Sequence, residues 1–232
     1  TKKGPRNVLE TLVEDPLQMT MIQEQLGLDP LIVTGDERWF SMIRLPRLLY
    51  SWSDESLETW QVKETIVDEG YGFYTHHFTA TTPEGPVTWS LQIGDAQVAE
   101  VEPALKEEKD LDLCIKYMPE PESLNQDKLK KMVDAVGDRA FCMHNFTGVW
   151  GEAANMRGLV TLTCDLMEQP RFVEKISEFL RDRSIRRVRH LAKTGIHSII
   201  YDQSWVGMGF SPKQFREFML PYDKPVVTAA KK

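Results

Sequence analysis

Two short stretches of the chain combine acids, an imidazole and indoles that could carry out chemistry. The first contains His144, Asn145, Trp150 and Glu152, and the second contains Asp202, Gln203 and Trp205. Asp202 is the strongest candidate, because a carboxylate directly after an apolar strand needs a polar partner to justify its position. With His144 and Glu152 it could perform general acid–base catalysis, and the indoles could line an aromatic or conjugated substrate.

These residues also have other interpretations, which the sequence leaves open. His144 and Glu152 could be zinc ligands, since imidazole and carboxylate groups both bind this metal. His144 could instead only bond the backbone, and Glu152 could only complement the start of a helix. Trp150 and Trp205 could both be core residues.

The elements expected to position the two stretches are buried strands. Residues 140–143 predict a short strand before the first stretch, and residues 196–201 predict one before Asp202. Ser211, Pro212 and Gln214 then form a capping-box pattern that starts a helix. In a barrel or doubly wound sheet, both polar stretches would be loops that open on the same carboxyl edge of the strands.

The remaining pattern predicts an α/β protein. Helical spacing covers residues 5–28 in two pieces broken around Pro16, and a short strand follows at 31–34. Residues 61–67, 71–80 and 87–93 predict an antiparallel meander. Helices are expected at 124–136, at 152–168 and from Pro170 onward, and this alternation with strands favours a parallel sheet. The arginine-rich segment 181–193 is interpreted as a solvated helix face, with phosphate binding as the alternative.

Composition excludes several classes of function. The net charge of −7 over 232 residues argues against a general nucleic-acid binder. No apolar run approaches the ~18 residues of a membrane span, and no signal segment begins the chain, so we expect a cytoplasmic protein. The three cysteines are far apart and predict neither a disulfide framework nor a metal knuckle. Neither GxGxxG nor GxxxxGK[ST] occurs, so dinucleotide or P-loop binding has no support.

Residues 199–222, IIYDQSWVGMGFSPKQFREFMLPY, resemble the D-S-W-A-G…S-P…F-x-x-F-x-L-P-Y segment of the uroporphyrinogen decarboxylase (URO-D) superfamily. GLDP at 27–30, TPEG at 82–85 and FTGVWGEAANMRG at 146–158 are also similar to that superfamily. The resemblance covers roughly residues 25–225. It implies that residues 1–232 are one domain, an incomplete central portion of a (β/α)8 TIM barrel, with the meander at about 60–93 as an excursion.

Two activities occur within this superfamily. True uroporphyrinogen decarboxylases carry an R-P-V-W-x-M-R-Q-A-G-R segment, which is missing here, and an F-S-D-I-L aspartate where this chain reads IVTGDERWF. Their tyrosine position falls near Ala154 or Asn155. The chain is more similar to the corrinoid-dependent methyltransferases, whose outline His144, Glu152, Arg157 and Asp202 match.

The resemblance therefore implies a methyltransferase that acts with a cobalamin-binding corrinoid protein on a small methylated substrate or on a thiol or folate acceptor. No motif of this chain binds a cofactor, and the zinc ligands of the thiol-methylating members would come after residue 232. We expect Asp202, His144 and Glu152 to be catalytic. We expect Trp150, Trp205, Asn145 and Gln203 to bind substrate. The alternatives are a uroporphyrinogen decarboxylase, with Asp202 or another acid holding the pyrrole nitrogens, and a non-catalytic barrel homologue.

Overall fold

A three-stranded parallel sheet carries both candidate stretches, and a four-stranded antiparallel meander packs beside it through the helices. The computed structural model describes residues 16–35, 51–52, 58–93, 98–203, 206–207 and 209–231, so Trp205 and the first predicted helical piece lie outside the described residues. The strands are β1 Leu31–Gly35, β2 Ser51–Trp52, β3 Gln61–Gly70, β4 Phe73–Thr82, β5 Gly85–Ile93, β6 Val98–Glu102, β7 Leu124–Asn125, β8 Phe141–Thr147 and β9 Ser198–Asp202.

Helices connect these strands. They are α1 Pro16–Gln25, α2 Glu108–Tyr117, α3 Asp127–Val136, α4 Val149–Arg157, α5 Leu159–Glu168, α6 Pro170–Ala192, α7 Pro212–Gln214 and α8 Leu220–Ala230, with 3₁₀ turns at Pro121–Ser123 and Gly137–Arg139 and a π-helical turn at Phe215–Met219. The capping box at Ser211 is confirmed, since its hydroxyl accepts the Gln214 N–H. The single helix expected at 152–168 is wrong. Gly158, with φ of 85°, ends α4 and precedes α5.

The parallel sheet has the order β1-β8-β9. Strand β8 runs four residues past its predicted end, because Phe146 and Thr147 pair with Tyr201 and Asp202 of β9. The prediction that His144 and Asn145 belong to a loop is therefore wrong, since both lie within this central strand. The predicted α/β class with a parallel sheet is confirmed, and the sheet formed by the described strands is open.

The meander has the order β3-β4-β5-β6, one strand more than the sequence predicted. One of its faces joins the main core, where Phe78 stacks on Trp89 with ring centroids 5.2 Å apart. That core continues through α4, α5 and α6 to Phe146 of β8. A smaller core packs Cys142 of β8 against α3 and Leu191 of α6. The sheet is thus covered by helices on one side.

Helix α6 does not present all its arginines to solvent. Arg183 and Arg187 are both buried, so the solvated-face interpretation is wrong for these two. Arg183 donates to the Pro119 carbonyl at 2.5 Å, and the Arg187 guanidinium lies 4.9 Å from the centre of the Phe146 ring. Arg183 therefore joins α6 to the segment that follows α2, and Arg187 joins it to β8 of the sheet. None of the described helices is both long and apolar enough to cross a membrane.

Candidate active site

The predicted site residues lie on two opposite faces of the parallel sheet. Side chains alternate along a strand, and the burial pattern of β8 follows that alternation. His144 and Phe146 face the helices, and Asn145 faces the other side, which we call the open face. In β9 the neighbours of His144 and Phe146 are Ile199 and Tyr201, whereas Asp202 pairs with Thr147. Asp202 and Asn145 therefore share the open face, and His144 does not.

The open face has a polar carboxyl edge. Asp202 ends β9, and Asn145 stands opposite Ile200 in that strand and opposite Gly35 in β1. The Asn145 Oδ1 atom is buried without a hydrogen-bond partner among the described residues. A buried amide oxygen without a partner is costly, so this atom is available to a donor on a bound ligand.

Gln203 packs tightly against the turn between β8 and α4. The Gly148 N–H donates to the Asp202 carbonyl at 2.8 Å and so joins the ends of the two strands. A methyl group at position 148 would collide with the side-chain amide of Gln203. The absence of a Cβ atom at 148 therefore lets the Gln203 side-chain amide lie against this turn.

On the helix-covered side, Glu152 is a deeply buried carboxyl group. It is 2% exposed, and its Oε2 atom has no hydrogen-bond partner among the described residues. Arg187 Nη1 lies 3.9 Å from Oε1, which is longer than a hydrogen bond. Burial raises the pKa of Glu152 to about 8, against the opposing charge of Arg183. Burial also lowers the pKa of Arg187 to about 9.

A second buried acid, Asp223, was missed by the sequence reasoning. The Tyr201 hydroxyl donates to Asp223 Oδ1 at 2.6 Å, and the Val149 N–H reaches the same carboxylate oxygen at 3.2 Å. These contacts satisfy the first N–H of α4. Burial raises the pKa of Asp223 and that of Tyr201. The available signal was an acid directly after the apolar run 218–222, inside a helix.

His144 and Trp150 occupy interior positions. His144 is 1% exposed, with Nδ1 2.9 Å from the Thr34 hydroxyl, and burial lowers its pKa to about 4. Trp150 lies in the main core and packs edge-to-face on Phe210 at 5.3 Å. In the described part of the chain, no three His, Cys, Asp or Glu side chains converge on a metal site, and this includes His144 and Glu152.

Comparison with known proteins assigns the family. The family model described as uroporphyrinogen decarboxylase (URO-D) matches residues 81–232, which include both candidate stretches. The chain belongs to the uroporphyrinogen decarboxylase family. The resemblance drawn from residues 199–222 is thus confirmed.

A solved structure extends the match over nearly the whole chain. A methyltransferase from Methanosarcina mazei superimposes with a TM-score of 0.55 at 10% sequence identity and covers 99% of this chain. At 10% sequence identity, this structural similarity shows that the two chains share a fold. The chain spans 61% of the length of that methyltransferase. No curated protein sequence matches the chain significantly.

Proposed function

We propose that this chain is a methyltransferase of the URO-D family that works with a corrinoid protein and a small methylated substrate or a thiol or folate acceptor. The observation that carries the proposal is the polar carboxyl edge of the open face. Asp202 and Asn145 share that face, and Gln203 follows Asp202 at the end of β9, within a fold shared with a methyltransferase. The carboxyl edge of a parallel sheet is where α/β enzymes place their sites.

The open face also supports a barrel as the complete architecture. Its apolar residues remain exposed in the described part of the chain, by 37–50% for Leu31, Val33, Phe141 and Ile200. An apolar sheet face of this kind must be covered in a stable protein. We propose that further strands cover it and close a (β/α)8 barrel, which would place Asp202 and Asn145 at the inner rim of its mouth.

In this proposal the three edge residues bind and orient the substrate. The Asp202 carboxylate accepts hydrogen bonds or a proton from the reacting group, and the amides of Asn145 and Gln203 fix its polar atoms. In this proposal Glu152 and His144 influence the site without contacting the substrate, because their side chains lie on the helix-covered side of the sheet. Trp205 stays a predicted substrate contact outside the described residues.

The described residues contain no group of three His, Cys, Asp or Glu side chains that could hold zinc. The corrinoid, which carries the methyl group between donor and acceptor, is proposed to be held by the partner protein. The residues of this chain then need only present the substrate or acceptor and exclude water.

Methyl transfer is tested directly with the full chain, methylcobalamin and a series of thiol and folate acceptors. We expect acceptor-dependent loss of the methylcobalamin absorbance, and we expect Asp202→Asn to slow it by about 10²–10⁴-fold. Asp134→Asn is the matched control, since it makes the same chemical change at an exposed position on α3. Failure of every thiol and folate acceptor would contradict the proposal.

The family assignment favours decarboxylation as a second candidate. Against it, α4 places the buried side chains of Ala154 and Asn155 where true decarboxylases are expected to carry a tyrosine. Incubation with uroporphyrinogen followed by chromatography for coproporphyrinogen separates the two activities. A chain inactive in both assays would support the non-catalytic homologue.

A further inference from the structure

One oxygen atom of Asp223 joins three elements on the helix-covered side of the sheet. Asp223 lies on α8 and is 5% exposed. Its Oδ1 atom accepts a hydrogen bond of 2.6 Å from the Tyr201 hydroxyl on β9 and one of 3.2 Å from the Val149 N–H at the start of α4. The Val149 N–H also lies 3.3 Å from the Tyr201 hydroxyl oxygen. These three groups form a closed triangle, which we call the Asp223 hub.

The hub is connected to Asp202 through the backbone in two ways. Tyr201 directly precedes Asp202 in β9, and side chains alternate along a strand. The tyrosine is therefore anchored on the helix-covered side while the Asp202 carboxylate stands on the open face. In the turn after β8, the Gly148 N–H donates to the Asp202 carbonyl at 2.8 Å, and the next N–H, that of Val149, donates to the hub carboxylate. A shift of the hub therefore moves the end of β9.

The hub does more than cap a helix. Helix α4 has no side-chain cap of its own, because its N-cap residue is Gly148. One accepting group from any nearby polar side chain would satisfy the free N–H at that end. The hub instead buries a whole carboxyl group, and its Oδ2 atom has no hydrogen-bond partner among the described residues. Buried polar networks of this kind cost stability but hold their members in one arrangement.

Gln203, the residue after Asp202, also adjoins the hub. Burial raises the pKa of Asp223, and the Tyr201 hydroxyl and the Gln203 amide both oppose that rise. The same amide lies against Gly148. Neither of its polar atoms makes a hydrogen bond within the part of the chain that the structure describes. The hub therefore adjoins the residues on both sides of Asp202.

We propose that Asp223 is a positioning residue of the site, which sets the place of the Asp202 carboxylate through the Tyr201 hydroxyl and the Val149 N–H. Asp223 does not contact the substrate in this proposal, because it lies on the helix-covered side of the sheet. The inference rests on the proposed function, in which Asp202 contacts the reacting group. A misplacement of about 1 Å lowers a rate by about 10²-fold, so loss of the hub should be measurable in kcat.

Two substitutions of Asp223 separate positioning from capping. Leucine has the branched shape of aspartate without its oxygens, so Asp223→Leu should lower kcat for methyl transfer by about 10²-fold and change KM little. Asp223→Asn should keep most of the activity, because its amide oxygen still accepts both hydrogen bonds. Asp165→Asn, which breaks a buried ion pair between α5 and α4, is the control for lost stability and should keep the wild-type kcat. Equal kcat values for Asp223→Leu and Asp165→Asn would overturn the proposal and leave Asp223 as a helix cap.

A measurement without substrate tests the position of Asp202 directly. The NMR coupling across the hydrogen bond from the Gly148 nitrogen to the Asp202 carbonyl carbon reports the geometry of that bond. We expect this coupling in the wild type, in Asp223→Asn and in Asp165→Asn, and we expect its loss in Asp223→Leu. Tyr201→Phe keeps the ring and removes only the hydroxyl, so it should weaken the coupling, and it tests the hub even if Asp223→Leu does not fold.

The two measurements distinguish a failure of this inference from a failure of the proposed reaction. An unchanged coupling in Tyr201→Phe and in Asp223→Leu would refute positioning, whatever the protein catalyses. If the wild type transfers no methyl group and the coupling is still lost in Asp223→Leu, the proposed reaction is wrong, and the control of Asp202 by Asp223 is supported.

Discussion

Glu152 should make the stability of this protein fall as the pH rises through neutrality. Burial raises the pKa of its carboxyl group from 4.5 to about 8. Between these two values the folded state holds a proton on Glu152 that the unfolded chain releases. Folding then takes up a proton, so the folded state loses stability with rising pH. At 1.36 kcal/mol per pKa unit, the loss between about pH 5 and pH 8.5 is about 4 kcal/mol.

The perturbation is Glu152→Gln, which keeps the shape of the side chain and removes its titration. Urea unfolding followed by circular dichroism, at several pH values from 5 to 8.5, gives the free energy of unfolding of each protein. The variant should gain about 4 kcal/mol relative to the wild type across this range. Arg187, with its pKa lowered to about 9, stays protonated over nearly all of it.

Glu174→Gln removes a carboxylate from the exposed side of α6 and is the matched control. Its difference from the wild type should vary little with pH. If the curves for the wild type and Glu152→Gln instead stay parallel from pH 5 to 8.5, Glu152 is ionised throughout. The assignment of a neutral buried acid would then be wrong, and the Arg187 pair at 3.9 Å would have to be a strong one.

Three further changes test the fold and the site. Asp165→Asn breaks a buried ion pair in which Arg157 Nε lies 2.7 Å from the carboxylate, and it should lower the free energy of unfolding by about 3–5 kcal/mol in urea titrations. Asp202→Asn should lower the rate of methyl transfer by about 10²–10⁴-fold, as measured by methylcobalamin absorbance. Gly148→Ala should displace the Gln203 amide and raise KM more than it lowers kcat, because its φ of −66° suits alanine.

Local signals allowed much of the fold to be predicted from the sequence. The capping box at Ser211, the helix that restarts at Pro170 and the strand that begins at Leu31 all appear as expected. Each depends on residues within one turn or one strand. The length of β8 could not be found in this way, because its last residues are strand only through their pairing with β9.

Long-range contacts also explain what was missed at the site. Asp223 is separated by 22 residues from Tyr201 and by 74 from Val149, and nothing near it in the sequence indicates either partner. The burial of Arg187 depends on Phe146, which lies on a different element. From the sequence alone, an arginine-rich helix segment is predicted to be exposed to solvent. Its burial can be predicted only once the position of the sheet that packs against it is known.

The extension of β8 changes what the candidate residues can do together. Had the strand ended at residue 143, His144 and Asn145 could both have turned toward one cleft. In the strand they must point to opposite faces, so the imidazole and the Asp202 carboxylate cannot meet on one substrate. The two sides are nevertheless connected. Asp223 holds the Val149 N–H at the start of α4, and the adjacent Gly148 N–H holds the Asp202 carbonyl. The buried cluster behind the sheet therefore sets the position of the polar edge in front of it.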